Sequence, residues 1–115
     1  MATISLPLVE RERGVACVPK KRPRADRIEA TAEVLKALAD PTRLAMAVIL
    51  RDSKAPVCVC DLTATFDLTQ PTISHHMARL REAGLVDCVK RGIWAFYWLR
   101  RDLPASTRKI LEALG

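Results

Sequence analysis

The fold of this chain is decided by the stretch Thr69-Gln70-Pro71-Thr72-Ile73-Ser74-His75-His76-Met77. Thr69 is a residue type that caps helices, and Pro71 is tolerated in a first turn, so the stretch predicts a helix start. Gly84 is a residue type that commonly closes helices. At about 100° per residue, an apolar side forms opposite a small, polar side. The pattern therefore predicts one amphipathic helix ending near residue 83.

Downstream of this helix the pattern changes to that of strands. Residues 85–90 and 93–99 are rich in β-branched, aromatic and apolar types, and Arg91-Gly92 lies between them where a tight turn needs a permissive residue. This arrangement predicts a two-stranded hairpin. A last helix over residues 104–114 offers a stripe of Ile110, Leu111 and Leu114, which suits a dimer interface shared with the first helix.

Three helices are predicted upstream. Asp26 and Glu29 have the spacing of a capping box for a helix over residues 26–39. Asp40 can cap a second helix that has Pro41 at its first position. A short third helix covers residues 61–66. The apolar face of the first helix is predicted from spacings of four, three and four residues: Ile28, Ala32, Leu35 and Ala39.

Elements in this order define a mainly α chain with a β hairpin, the winged helix-turn-helix architecture. Residues 26–115 are predicted to form this DNA-binding and dimerisation domain. Residues 1–25 contain prolines and a basic run, and they are predicted to form a flexible N-terminal arm that carries Cys17. With 115 residues in total the core is modest, so a partner subunit that buries apolar surface favours a homodimer.

The exposed side of the helix over residues 69–83 carries groups that can read DNA. Gln70 and Ser74 can pair with base edges, His75 can contact a base or a phosphate, and Arg79 can reach a phosphate or a guanine. An ordinary solvated face is the competing interpretation. His76 lies on the flank of the apolar side and is interpreted as a packing residue. Trp94, Phe96 and Trp98 in the second strand are likewise assigned to the core.

Composition limits the classes of partner. The sequence has 19 Lys and Arg against 13 Asp and Glu, a formal charge of +6, which favours a polyanion such as nucleic acid. Its apolar runs are far shorter than the roughly 20 residues that span a bilayer, so no membrane role is expected. A cytoplasmic protein is predicted, in which the 4 cysteines are thiols or metal ligands rather than disulfides.

Four segments in order closely resemble the arsenical and metal-responsive repressors of the ArsR/SmtB family, and the resemblance covers about residues 26–104. They are residues 37–44 (ALADPTRL), 58–62 (CVCDL), 70–77 (QPTISHHM) and 84–86 (GLV). The resemblance implies a repressor that binds double-stranded operator DNA with an inverted repeat. It implies DNA contacts by residues of the fourth helix and the hairpin tip: Gln70, Thr72, Ser74, His75, Arg79, Lys90 and Arg91.

The same resemblance implies a soft-metal site at Cys58 and Cys60. Thiolates suit As(III) and Sb(III), and also Cd(II) and Pb(II). Positions two apart in a regular helix diverge by about 200°, so Cys58 must precede the helix or the helix start must deform. Thr63 stands where some arsenical repressors have a further cysteine, and Cys17 resembles the arm cysteine of other members. As(III) or Sb(III) is therefore the expected inducer, with Cd(II) or Pb(II) as alternatives.

Three other interpretations remain open. A redox sensor of the same fold would pair Cys17 or Cys88 with Cys58 or Cys60. A thiol reductase would use the vicinal cysteines, although their spacing is not the Cys-x-x-Cys of redox helices and no general base accompanies them. A constitutive DNA-binding module would use its cysteines only structurally, which is also the favoured interpretation for Cys88.

Overall fold

A computed structural model describes residues 7–8, 10, 12–14 and 16–115 of the chain. Its elements, in chain order, are α1 (Ala25–Leu38), α2 (Pro41–Asp52), β1 (Val57–Cys58), α3 (Val59–Phe66), α4 (Gln70–Glu82), β2 (Val86–Arg91), β3 (Trp94–Leu99) and α5 (Ala105–Ala113). This confirms the winged helix-turn-helix order of elements. Across the described residues, no helix combines the length and the apolar character that a membrane crossing requires.

The first two helices begin differently. Asp40 caps α2 as predicted, because its Oδ2 accepts the backbone N–H of Arg43 at 3.0 Å. The predicted capping box of α1 is wrong, since Arg24 occupies the cap position and Asp26 already lies inside the helix. The Asp26 carboxylate instead accepts from the Arg24 guanidinium at 3.0 Å. A carboxylate in a first turn still suits the positive end of the helix dipole.

α3 and α4 form the helix-turn-helix. Asp67 ends α3 in the left-handed region, with a φ of 52°, which lets the chain turn sharply before Thr69 precedes α4. The buried side of α4 holds Ile73, Met77 and Leu80, each with 0 % exposure. Gly84 follows the helix with a φ of 80°, a conformation that glycine adopts without the strain of a side chain.

The hairpin is larger than predicted, because β1 joins it. The sheet order is β1-β3-β2, and β1 pairs antiparallel with β3 through Val57 opposite Tyr97 and Cys58 opposite Phe96. Two residues are too few to show a strand pattern, and their pairing partner lies far along the chain. At the other end of the sheet Arg91 pairs with Trp94, so the turn consists of Gly92, with a φ of 62°, and Ile93.

The buried faces of α1 and α5 differ from those predicted. In α1 the buried residues are Val34, Ala37 and Leu38, whereas the predicted stripe leaves Ile28 53 % and Leu35 49 % exposed. In α5 the residue Leu111 is buried against its own chain rather than left for a partner. The Arg51 guanidinium of α2 holds α5 in place by donating to the Leu111 carbonyl at 2.9 Å and also to the Leu114 carbonyl.

Candidate functional site

The two vicinal cysteines converge. Cys58 is the last residue of β1 and the cap of α3, so its side chain does not follow the helical spiral. Its Sγ lies 2.9 Å from Sγ of Cys60 and accepts the backbone N–H of Cys60 at 3.4 Å. The expectation that Cys58 precedes the helix agrees with this geometry. α3 begins at Val59, two residues earlier than predicted, and includes Cys60.

The two thiols differ in their access to solvent. Cys58 is buried and Cys60 is exposed. The hydrogen bond with Cys58 raises the pKa of Cys60, and partial desolvation and the charges of Cys58 and Asp61 raise it further. The Cys60 thiol is therefore protonated at neutral pH. Two soft donors that face each other with one open to solvent can chelate a thiophilic ion that displaces the protons.

The other two cysteines lie elsewhere. Cys17 is exposed on the irregular segment before α1. Over the described part of the chain, no three His, Cys, Asp or Glu side chains come together as a metal site, so Cys17 does not join Cys58 and Cys60 in the single chain. Cys88 faces Tyr97 across the sheet, and its Sγ accepts from Arg81 Nη1 at 3.4 Å. Its placement agrees with a structural thiol.

Most of the predicted DNA-contacting residues of α4 share its exposed side. Gln70, His75 and Arg79 are exposed and Ser74 is half-buried. Thr72 is also half-buried, and its hydroxyl lies 3.0 Å from the Thr69 hydroxyl, so it helps to close the first turn. The open end of α4 therefore presents amide, imidazole and guanidinium groups outward, which are suitable for base edges and phosphates.

The hairpin tip lies beside this face. Lys90 and Arg91 are exposed, and a cleft of about 330 Å³ separates the hairpin from α4, with Gln70, Ser74 and Trp94 among its lining residues. The interpretation of Trp94 as a core residue is wrong, since it is 48 % exposed. Arg81, two residues beyond Arg79, also lines the cleft and was not predicted, although a second arginine in the last turn of α4 indicates it.

A polar contact connects the reading face of α4, formed by Gln70, Ser74, His75 and Arg79, to the rest of the fold. Arg43 Nη1 of α2 lies 3.5 Å from Nδ1 of His76, the half-buried histidine on the flank of α4. Arg43 Nε also donates to the Ala37 carbonyl at 2.7 Å. This geometry agrees with the packing interpretation of His76. The guanidinium of this α2 residue therefore contacts both α1 and α4 and restrains the orientation of α4.

A helix-turn-helix with an exposed polar helix face, a basic hairpin tip and a basic surface defines a winged helix-turn-helix regulator. The family model described as "Bacterial regulatory protein, arsR family" matches residues 40–87. The chain is 44 % identical over 80 residues to the arsenical resistance operon repressor of Escherichia coli, covering 70 % of this chain and 68 % of that one. It is 37 % identical over 89 residues to an uncharacterised HTH-type transcriptional regulator of Methanocaldococcus jannaschii, covering 77 % and 99 %.

The chain belongs to the arsR family. Among solved structures, HlyU from Vibrio cholerae superposes with a TM-score of 0.68 at 28 % identity, covering 79 % of this chain and 94 % of that one. The transcriptional repressor BigR from Xylella fastidiosa gives a TM-score of 0.62 at 29 % identity, covering 77 % and 86 %. Family members and structural neighbours are DNA-binding transcriptional regulators, not enzymes. This chain is a transcriptional repressor of that family, which excludes the thiol reductase.

Proposed function

We propose that the chain is a homodimeric cytoplasmic repressor that binds an operator in its ligand-free form and releases it when As(III) or Sb(III) binds cysteine thiols. The observation that carries this proposal is the 2.9 Å separation of Sγ of Cys58 and Sγ of Cys60. Two converging thiols suit a thiophilic ion and serve no evident packing purpose at the exposed Cys60. The arsenical resistance repressors among the relatives support the same class of ligand.

The position of Cys58 provides a route from ligand to DNA. Cys58 pairs with Phe96 of β3 and also caps α3, and α3 packs against α4. An ion bound by Cys58 and Cys60 must shift the two sulfurs from their 2.9 Å contact, and it therefore acts on the hairpin and on the helix-turn-helix at once. By linkage, a ligand that lowers the affinity for DNA must bind the DNA-bound protein more weakly by the same factor.

A third sulfur completes the proposed site, and Cys17 is the candidate. Cys17 lies seven residues before Arg24, so a fully extended segment reaches about 25 Å from the start of α1. We propose that this segment brings Cys17 to the thiol pair of its own or of the partner subunit. Three thiols without an imidazole favour As(III) or Sb(III) over a tetrahedral zinc site. Cd(II) or Pb(II) at the same sulfurs is the alternative inducer.

Dimerisation is supported by the exposed face of α1. Ile28 and Leu35 are seven residues apart, hence on one face of the helix, and both are about half-exposed in the single chain. A second copy would cover this face. We propose that the dimer places two α4 helices in successive major grooves of an inverted repeat, about 34 Å apart. The residues proposed to contact it are Gln70, Thr72, Ser74, His75, Arg79, Lys90 and Arg91.

The test uses full-length reduced protein and the duplex that it selects from a random-sequence pool. Fluorescence anisotropy of the labelled duplex is followed during titration with sodium arsenite. We expect loss of the bound signal at stoichiometric arsenite. Unchanged anisotropy in a fully reduced sample would contradict the metalloid proposal. Arsenic X-ray absorption of single-cysteine variants then counts the sulfurs and identifies them.

The sheet excludes one of the disulfides that the redox alternative requires, the one between Cys58 and Cys88. Cys58 pairs with Phe96 and Cys88 pairs with Tyr97, so their side chains point to opposite faces. β3 also separates their strands, which puts their Cα atoms about 10 Å apart, beyond the roughly 7 Å that a disulfide spans. A disulfide from Cys17 to either thiol and one between Cys88 and Cys60 are the remaining forms of this alternative. Release by peroxide under metal chelation, reversed by reductant, would support it.

A further inference from the structure

The tip of the hairpin exposes two large apolar side chains. Ile93 is 82 % exposed and Trp94 is 48 % exposed, whereas the other aromatic residues of β3 are buried or half-buried. A turn that faces only water is ordinarily built from polar residues, because exposed apolar surface is unfavourable there. The pair therefore indicates a contact with something outside the single chain.

The surroundings of the tip specify the chemistry of that partner. Lys90 and Arg91 precede the pair at the end of β2 and are exposed, and residues 88–99 contain no acidic residue. Ile93 and Trp94 also line the same cleft as Gln70 and Ser74 of α4, so the tip is continuous with the proposed DNA-reading face. An apolar wedge beside two cations fits a surface with apolar interiors and anionic edges. Stacked bases between two phosphate backbones are such a surface.

We propose that Ile93 inserts into the minor groove beside each half-site and partly unstacks a base step, while Trp94 packs against the groove wall. This inference rests on the proposed function only for the presence of operator DNA. Lys90 and Arg91 hold the adjacent phosphates. A wedge that unstacks bases bends the duplex and favours flexible pyrimidine–purine steps at positions that α4 does not touch. The tip thus contributes specificity through DNA deformation.

The first measurement uses tryptophan fluorescence. The chain has 2 tryptophans, and Trp98 lines a separate cleft with Leu50 and Pro56. A Trp98→Phe variant of the full chain therefore reports on Trp94 alone. We expect the duplex selected by the wild-type protein to quench Trp94 emission and to shield it from acrylamide. Emission and acrylamide quenching that stay unchanged at saturating duplex would overturn the proposal.

The second measurement separates a wedge from a purely electrostatic tip. Ile93→Ser and Ile93→Lys are compared with wild type for duplex affinity and for bend angle, measured by energy transfer between labelled duplex ends. The wedge predicts a smaller bend for both variants and about tenfold weaker binding for Ile93→Ser. An unchanged bend with tighter binding by Ile93→Lys would show that the tip contacts only phosphates, and would overturn the proposal.

Other partners of the hairpin tip would give different results in these experiments. If Ile93→Ser lowers the mass of the free protein in sedimentation, the tip is a contact between copies of the chain. If vesicles of anionic lipid shift Trp94 emission as strongly as the duplex does, the partner is a membrane. Either result overturns the wedge. If arsenite fails to release wild type while the Trp94 and bending responses appear, the proposed inducer fails and the wedge stands.

Discussion

Arg43 of α2 places its Nη1 3.5 Å from Nδ1 of His76 in α4. The same side chain donates through Nε to the Ala37 carbonyl at 2.7 Å, and its backbone N–H donates to the Asp40 carboxylate at 3.0 Å. One residue thus joins the end of α1, the start of α2 and the middle of α4. Because α4 carries the reading face, the contact links stability to the orientation of the DNA-binding surface.

Replacing Arg43 tests this link. Arg43→Met removes a charge-assisted hydrogen bond to a carbonyl in the buried part of α1, and we expect it to lower the free energy of unfolding by about 2 kcal/mol. Arg43→Lys is the matched control, since it keeps the charge but loses the planar fork, and a smaller loss is expected. Urea denaturation measures both. Equal stability of Arg43→Met and wild type would show that the contact contributes nothing.

The proposed inducer site predicts a separation of functions. Cys58→Ser and Cys60→Ser should each bind the selected duplex within about twofold of wild type, since neither lies on the exposed side of α4, and should no longer release it with arsenite. Cys88→Ser should behave as wild type in both respects. Anisotropy titrations of the three variants make the comparison. Normal arsenite release by Cys60→Ser would exclude the thiol pair as the site.

The number of protons released on binding distinguishes arsenite from Cd(II). The hydrogen bond with Cys58 raises the pKa of Cys60, so its thiol carries a proton at neutral pH. Neutral As(OH)3 that binds three thiols forms three As–S bonds and three waters, with no net proton released. Cd(II) that binds the same thiols must release their protons. Calorimetry in buffers of different ionisation enthalpy should give a buffer-independent heat for arsenite and a buffer-dependent heat for Cd(II).

The same release of protons determines whether the affinity for Cd(II) rises or falls with pH. The thiol form predominates below the raised pKa, and protons compete with Cd(II) less as the pH rises. The apparent Cd(II) affinity should therefore increase with pH, by up to about tenfold per pH unit for each proton released. Arsenite affinity should stay flat over the neutral range. A falling Cd(II) affinity between neutral and mildly alkaline pH would contradict this assignment.

A substitution of Gly92 in the hairpin turn should destabilise the protein through the backbone conformation of that residue. Gly92 has a φ of 62°, and a Cβ built there would meet nothing within 4 Å, so any loss comes from the backbone conformation and not from a clash. Gly92→Val should lower the free energy of unfolding by about 1–2 kcal/mol. Gly115, which also has open space but no positive φ, provides the control variant Gly115→Val. Thermal unfolding should separate the two; similar melting temperatures would exclude strain at the turn.

Local chemistry explains which elements the sequence predicts well. Asp40 and Gly84 act through neighbours a few residues away, so the limits of α2 and α4 follow from residue types alone. The exposed side of α4 was also predictable, because helical periodicity places Ile73 and Met77 together on the buried side.

Long-range packing explains the rest. The pairing of β1 with β3 joins Val57 to Tyr97 and Cys58 to Phe96, 40 and 38 positions apart, and no short pattern encodes it. The predicted stripe of Ile28 and Leu35 is a true apolar face, yet the single chain buries Val34 and Leu38 instead, because only packing decides which of two faces is covered. Trp94 was misplaced for a related reason: alternation in a strand does not reveal where the sheet extends beyond the core.

The thiol pair and the reading residues occupy separate stretches of chain. The pair ends at Cys60, and α4 begins at Gln70, after the turn that contains Asp67. Under the proposed function, substitutions that alter which ion is detected therefore need not alter which promoter is recognised. Descendants of such a repressor can acquire a new stimulus while keeping their regulon, or keep the stimulus and move to other genes, by changes in segments that do not overlap.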